Sequence, residues 1–207
     1  MIRKKLHPAT ISAQNLLLYD LVFIDTETTG TRDIDVIVEI AIVDKQGPIL
    51  FNSLINPKRR IPKRATEKHG ITNDIVTDAP VWKDVWPTIE TLLSNKVICG
   101  YNIDFDMRLL QQTVKRAKLN WTLGRAKTAC IMKLFAWWYG EKDTYYNDYR
   151  WKTLEFAQKF CQLSTGTHHR ALDDTLLTLS LLHFISTNNP PKGWLAQTLL
   201  WLRNKTQ

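Results

Sequence analysis

Hydrophobic and polar positions along this 207-residue chain predict a run of strands that leads into alternating helices and strands. Apolar runs rich in β-branched residues predict three strands in succession, at residues 21–26, 36–44 and 49–55. A turn of sequence Lys-Gln-Gly-Pro at residues 45–48 separates the second strand from the third. The first third of the chain is therefore predicted to form an antiparallel meander.

Helical spacing of apolar residues dominates the remainder of the chain. A short apolar run at residues 97–100 predicts a strand between two helices, and a further short strand is predicted at residues 127–130. The predicted helices cover residues 82–94, 105–118, 131–138, 151–162 and 172–186. Three strands followed by alternating elements argue for an α/β fold in which helices flank a mixed β-sheet.

The chain divides into three predicted parts. Residues 20–187 form one globular domain, which is long enough to bury a full hydrophobic core. Residues 1–19 are an N-terminal extension to which the sequence assigns no role. In residues 188–207, two prolines stop the preceding helix, and the amphipathic spacing beyond them predicts a C-terminal helix. We expect this helix to pack on the domain, with the binding of a partner as the alternative.

Two carboxylates stand at the end of the first predicted strand. Side chains alternate between the faces of a strand, so Asp25 and Glu27 share one face and Thr26 takes the other. Adjacent acids repel and hold a proton between them unless a cation lies in front of them. Oxygen ligands favour Mg²⁺ or Mn²⁺ over zinc. Because two acids at this spacing occur by chance in many chains, the alternative is a solvated strand end, and a metal site requires further acids.

Two more polar clusters supply those acids. Asn102 and Asp106 flank Phe105 directly after the predicted strand at residues 97–100, at the start of a helical pattern. The third cluster, at residues 169–174, opens the last helix of the domain.

The three clusters resemble the motifs of DnaQ-type 3′-to-5′ exonucleases of the DEDD superfamily, in the branch that carries a histidine. The family pattern is D-x-E, then N-x-x-F-D, then H-x-A-x-x-D. The positions that match it are Asp25, Glu27, Asn102, Phe105, Asp106, His169, Ala171 and Asp174. The family's H-G-I-T turn matches residues 69–72, and the resemblance extends over about residues 21–185.

This resemblance implies a ribonuclease-H-like fold, a metal centre and a reaction. Four carboxylates would hold two divalent ions, Mg²⁺ or Mn²⁺: Asp25, Glu27, Asp106 and Asp174. His169 would act as general base on the attacking water, and hydrolysis would release 5′-mononucleotides from a 3′ end. The residues expected to contact the substrate are Thr28, Thr29, Gly30, His69, Asn102 and Phe105.

Two of the clusters contain a competing acid. Asp104 lies where the family pattern is variable, and just ahead of a helix it is expected to be an N-cap or a solvated first-turn acid. Adjacent residues of a helix point in different directions, so only one of Asp173 and Asp174 can face a metal, and the family spacing selects Asp174.

Two other polar residues also need assignment. The spacing to the last acid favours His169 over its neighbour His168 as the functional histidine. Glu39 lies in mid-strand among apolar residues, where we expect a structural hydrogen-bonding role and no metal.

Composition narrows the class of protein. Lysine and arginine number 28 against 20 acids, a net charge of +8, with basic stretches at residues 3–5, 58–63 and 115–118. Such stretches attract phosphate backbones. The three cysteines are widely spaced and form no metal-binding pair. No signal peptide and no membrane-spanning segment is recognised, so the expected location is the cytoplasm and no membrane partner is expected.

The predicted function is hydrolysis of single-stranded DNA from its 3′ end, in DNA repair or proofreading, with a DNA polymerase as a candidate partner. Segments at residues 130–134 and 168–172 give a further, weaker likeness to exonuclease X, a stand-alone DNA exonuclease. The alternatives are a 3′-to-5′ exoribonuclease of the oligoribonuclease or ribonuclease T type and an inactive nucleic-acid-binding module. A complete set of ligands argues against the inactive form.

Overall fold

A computed structural model describes residues 5–143, 145, 148–164 and 169–191 of the chain. The strands are β1 Leu21–Thr28, β2 Ile37–Asp44, β3 Ile49–Leu54, β4 Val97–Gly100, β5 Lys127–Cys130, β6 Lys142–Asp143 and β7 Asp148–Tyr149. The helices are α1 Pro8–Leu16, α2 Lys63–His69, α3 Trp82–Leu93, α4 Ile103–Arg116, α5 Ile131–Tyr139, α6 Leu154–Cys161 and α7 Ala171–Thr187.

A five-stranded mixed sheet forms the centre of the domain, in the order β3-β2-β1-β4-β5. Among the first three strands, β1 and β3 each pair antiparallel with β2, as the predicted meander requires. The strands β4 and β5 run parallel to β1. The predicted α/β class with a mixed sheet flanked by helices is therefore confirmed.

Alternation along β1 divides the core into two layers. Leu21 and Phe23 face a layer built by α1, α5, α6 and α7. Val22 and Ile24 face the other layer, which α3 and α4 build. Trp82 and Trp86 are both 4 % exposed and stack in this second layer with ring centroids 5.9 Å apart, so both tryptophans belong to the core.

Several elements differ from the sequence prediction. The strand β1 continues through Thr28, two residues beyond the predicted end, because β2 pairs with it as far as Thr28. The helix predicted from residue 151 begins at Leu154, since the Thr153 side chain accepts a hydrogen bond from the backbone N–H of Phe156 and caps the helix there. Between α5 and α6, where no strand was predicted, β6 and β7 pair as a two-stranded antiparallel ribbon.

Two short helices were not predicted. The helix α1 starts with proline in its first turn and buries Ala9 and Ala13 against the rest of the chain, mainly against α7. The helix α2 ends at Gly70, whose φ of +73° suits a left-handed cap. The predicted C-terminal helix lies outside the described residues from position 192 onward. Within the described ranges, no helix has both the length and the apolar character needed to cross a membrane.

Candidate active site

The C-terminal end of β1 and the first turn of α7 bring three predicted residues together. Asp25 and Glu27 project from one face of β1, and α7 packs against β1 and β2 on that side. Ligand atoms of Glu27, His169 and Asp174 all lie within 4.8 Å of one another. Two clusters that are more than 140 residues apart in the sequence thus form one polar site.

Glu39 fixes where α7 begins. Its buried carboxylate accepts a hydrogen bond from the backbone N–H of Ala171 at 3.0 Å and pairs with the Arg170 guanidinium, with Nη2 to Oε1 at 2.6 Å. These contacts hold the first residue of α7 against β2, and Asp174 follows one turn later. The predicted structural role of Glu39 as a hydrogen-bonding group agrees with this geometry.

The fourth carboxylate, Asp106, comes from the first turn of α4. It is 3 % exposed, and the Thr26 hydroxyl donates a hydrogen bond of 2.7 Å to its Oδ1 atom. Thr26 faces the opposite side of β1 from Asp25 and Glu27, so this strand contacts helices on both of its faces. The hydroxyl fixes one carboxylate oxygen of Asp106.

Burial and mutual repulsion shift the proton affinities of these acids. Burial first, and then the neighbouring Asp106 and Glu27, raises the pKa of Asp25 well above its ordinary value. Burial raises the pKa of Glu27 to about 7, with Lys68 acting in the opposite direction. Burial raises the pKa of Asp106 to about 7 against the lowering effect of the Thr26 hydrogen bond. In the absence of a cation, the cluster therefore retains protons near neutral pH.

His169 occupies the residue position just before the turn into α7. It is exposed and has a φ of +63°, an uncommon backbone conformation for a residue with a β-carbon. The competing His168 lies outside the described residues. The geometry thus brings His169 to the acids, and its role there stays a prediction.

The H-G-I-T turn braces the end of β1. The Nδ1 atom of His69 accepts a hydrogen bond from the Ile71 backbone N–H at 3.0 Å, so Nε2 carries the proton that points to the Thr28 carbonyl at 3.2 Å. His69 is 4 % exposed, and burial lowers its pKa, which favours this neutral form. The structure gives His69 a bracing position, and its predicted contact with substrate stays a prediction.

A tight loop follows β1, and its polar side chains are mostly engaged internally. The Thr28 hydroxyl donates to the Gly30 carbonyl at 2.7 Å, and the Thr29 hydroxyl donates to Asp35 at 3.1 Å. A β-carbon at Gly30 would lie 2.5 Å from an Asp35 carboxylate oxygen, so the buried Asp35 leaves room for glycine alone. Thr28, Thr29 and Gly30, the three predicted contact residues of this loop, therefore set the path of the backbone beside the site.

The start of α4 places the remaining predicted residues. Asn102 is exposed at the N-cap position, and Phe105 is half-buried against the α3/α4 layer, with the Arg108 guanidinium 5.3 Å from its ring centroid. Asp104 is exposed and pairs with Lys133 at 2.6 Å, which fits the predicted solvated first-turn acid. Asp106 is therefore the acid of this cluster that lies among the other carboxylates.

A model of the exonuclease family known as RNase_T matches residues 22–182 of the chain. The chain belongs to this family. The predicted membership among DnaQ-like nucleases of the DEDD superfamily is thereby confirmed, and so is the prediction that the protein is an enzyme.

Two relatives differ in how much of their own length the chain matches. An uncharacterized exonuclease of Escherichia phage 186 is 40% identical over 182 residues, which cover 84% of this chain and 93% of the relative. A PolC-type DNA polymerase III of Thermotoga petrophila is 31% identical over 176 residues, which cover 79% of this chain. The chain spans only 12% of the length of that polymerase.

Solved structures give the same family and fold. Exonuclease X in complex with 5′-overhanging duplex DNA is 27% identical, with a TM-score of 0.59 over 87% of this chain and 99% of that one. Exonuclease I is 17% identical, with a TM-score of 0.67 over 91% of this chain and 43% of that one. The second likeness confirms the predicted ribonuclease-H-like fold.

The donor set of this exonuclease suits a hard divalent cation. Asp25, Glu27, Asp106 and Asp174 offer carboxylate oxygens, the ligands that Mg²⁺ and Mn²⁺ prefer, in a buried place where their mutual repulsion is otherwise relieved by protons. Lys68, one exposed lysine, lowers the pKa of three of these acids without being part of the motif. A divalent cation would neutralise them far more completely.

Sequence reasoning missed two functional neighbours in this exonuclease. Lys68 lines an open groove of about 540 Å³ beside the site, together with Arg170 and Asp173. Its only sequence signal was a basic residue directly before the H-G-I-T turn. Thr26 was assigned to the face of β1 opposite Asp25 and Glu27. The signal for its hydrogen bond to Asp106 was that a helix carrying an acid covers that face.

Proposed function

We propose that this chain is a metal-dependent 3′-to-5′ exonuclease that hydrolyses single-stranded DNA ends to 5′-mononucleotides. The observation that supports the proposal most is the convergence of Glu27, His169 and Asp174 within 4.8 Å, beside the mutually repelling acids Asp25 and Asp106. The DNA-bound exonuclease X supports DNA as the substrate class. A DNA polymerase as partner has its support in the PolC-type relatives alone.

The four carboxylates would hold two divalent ions, which neutralise charge on the scissile phosphate when they are bound. His169 takes a proton from the attacking water, whose oxygen bonds to phosphorus. The bond from phosphorus to the 3′ oxygen of the preceding nucleotide then breaks, its electron pair leaves with that oxygen, and the oxygen takes a proton from solvent water. The phosphate stays on the released nucleotide, and the shortened strand keeps a 3′-hydroxyl.

Thr26 and Glu39 position the reacting groups without touching the substrate. The Thr26 hydroxyl holds one oxygen of Asp106, and Glu39 holds the start of α7 and so the place of Asp174. Preorganised ligands of this kind lower the cost of assembling a charged site. The repulsion among the acids means that this assembly depends on a bound cation.

A digestion panel tests polarity, substrate and metal together. Single-stranded DNA, duplex DNA and RNA of one sequence, each labelled at the 5′ end, are incubated with Mg²⁺, with Mn²⁺ or with EDTA. We expect a ladder of shortened labelled strands, fastest on single-stranded DNA, and no reaction in EDTA. Immediate release of a labelled mononucleotide would show the opposite polarity, and faster loss of RNA would show an exoribonuclease.

Asp25→Asn is the matched variant for this panel. The amide keeps the side-chain volume and removes a charge from the crowded cluster, so the fold should persist while activity is lost. Asp104→Asn is the control, because it removes a nearby acid that is exposed and paired with Lys133. Wild-type turnover by Asp25→Asn would show that the carboxylate cluster is not the reaction centre.

A further inference from the structure

Two basic stretches that are far apart in the sequence converge on one pocket of the folded domain. Lys58 from the first stretch and Arg116 and Lys118 from the other line a cavity of about 380 Å³ together with Lys83 of α3. All four of these basic residues are exposed. This pocket shares no lining residue with the groove beside the carboxylates.

The cationic rim of the pocket is not neutralised by ion pairs in the described part of the chain. None of these four side chains takes part in an ion pair among the described residues, whereas basic residues elsewhere, such as Lys96 and Lys133, have acidic partners. Four like charges around one opening repel each other and raise the local positive potential. Such an arrangement favours an anionic ligand.

The floor of the pocket is apolar, with one unsatisfied donor. Ile55, Pro57, Val81 and Ala117 contribute to the lining. Trp82 also lines it, and the buried indole Nε1 of that residue has no hydrogen-bond partner among the described residues. This N–H is closed off from solvent, so a ligand in the pocket meets the apolar lining around it.

The pocket lies along α4 from the reaction centre. Asp106 is in the first turn of this helix and Arg116 in its last, so the ten residues between these positions correspond to about 15 Å of helix. At about 3.4 Å for each nucleotide, the spacing along one strand of stacked B-form DNA, this distance corresponds to four or five nucleotides. A strand whose 3′ end is at the carboxylates could therefore reach the rim.

We propose that this pocket is a second nucleic-acid contact, in which Lys58, Lys83, Arg116 and Lys118 hold backbone phosphates of the strand about five nucleotides from the cleaved end. The inference rests on the proposed function for its ligand class. The apolar floor accepts the sugar or base between two held phosphates. Longer strands then bind more tightly than strands that are too short to leave the reaction centre.

Lys83→Gln combined with Arg116→Gln tests the contact, because both residues have ordinary backbone conformations and no ion-pair partner among the described residues. The matched control is Arg125→Gln combined with Lys127→Gln, which removes the same charge at the opposite edge of the sheet, beside β5. Thermal unfolding of each protein checks that the fold is kept.

Binding is measured in EDTA by fluorescence anisotropy with a labelled thymidine trinucleotide and a thymidine 20-mer at several salt concentrations. The test variant should bind the 20-mer about tenfold more weakly, and its slope of log affinity against log salt should fall by about 1.4, or 0.7 for each lost phosphate contact. Trinucleotide binding should not change. In the presence of Mg²⁺, the KM for the 20-mer should rise while kcat is unchanged.

Equal 20-mer affinity and salt dependence in the test variant, the control and the wild type would overturn the proposal. Equal weakening for the trinucleotide and the 20-mer would also overturn it, because the contact would then lie at the cleaved end. Failure of the proposed function is distinguishable, since the wild type would cleave neither oligonucleotide while the binding comparison in EDTA would still report on the pocket.

Discussion

The stability of the metal-free protein should fall as the pH rises from about 4.5 to 7, and Glu27 is the residue with which to measure this effect. Burial raises the pKa of this acid from an ordinary value of 4.5 to about 7 in the folded chain. Between these pH values the folded state binds a proton that the unfolded state has released. The contribution to stability is therefore complete below about pH 4.5 and is lost as the pH rises through about 7.

The magnitude follows from the size of the shift. One pKa unit corresponds to about 1.36 kcal/mol, so a shift of roughly two and a half units corresponds to about 3 kcal/mol in the free energy of unfolding. That is a large fraction of the 5–15 kcal/mol that stabilises a typical domain. The proposed binding of divalent ions to the ionised cluster of the folded state predicts that excess Mg²⁺ removes most of the loss.

Urea unfolding at several pH values between 4.5 and 8, in EDTA and in Mg²⁺, measures this effect. Subtracting the free energy of the Glu27→Gln variant from that of the wild type removes the contribution of histidines and distant acids. In EDTA this difference should fall by about 3 kcal/mol across the range. Glu67→Gln is the control, because Glu67 is exposed in α2 and should show no such pH dependence. The reasoning would be refuted if, in EDTA, the difference in unfolding free energy between the wild type and Glu27→Gln stayed constant or grew as the pH rises.

Two further predictions concern residues that act on the reacting groups. Thr26→Val removes the hydrogen bond to Asp106 and should lower kcat roughly tenfold with little change in KM. Thr26→Ser should restore most of the rate in steady-state assays. An unaffected rate for Thr26→Val would show that this hydrogen bond has no part in the reaction. His169→Ala should lower turnover by roughly a hundredfold or more and leave calorimetric metal binding nearly unchanged, with His168→Ala as a nearly silent control. Loss of a metal site in His169→Ala would make this histidine a ligand instead of a base.

The sequence was sufficient for the five strands of the central sheet and for five of the helices, and motif spacing selected acids that lie close together in the fold. Strand alternation was enough to put Asp25 and Glu27 on one face, because that geometry is local to β1. The family spacing distinguished Asp106 from Asp104, and the exposed pairing of Asp104 with Lys133 agrees with that choice. Local patterns thus predicted the strands and helices, and motif spacing selected the acids.

Contacts between distant segments could not be predicted in the same way. The hydrogen bond from Thr26 to Asp106 joins positions 80 residues apart, and nothing in either segment alone specifies it. Lys68 reaches the acids only because α2, a helix of 7 residues with no sequence prediction, ends beside β1. Short helices depend on tertiary packing more than on propensity, so their absence from the sequence prediction has a physical cause.

The pairing of Arg170 with Glu39 also sets the electrical balance of the reaction centre. Glu39 lies directly opposite Glu27 in the register of β1 and β2, so without its guanidinium partner it would be a fifth carboxylate beside the other four. With Arg170 in place, the four acids of the centre carry four negative charges when ionised, equal to the charge of two divalent cations. An arginine just outside the proposed metal site thereby keeps the negative charge of the acids equal to the positive charge of the two ions proposed to bind there.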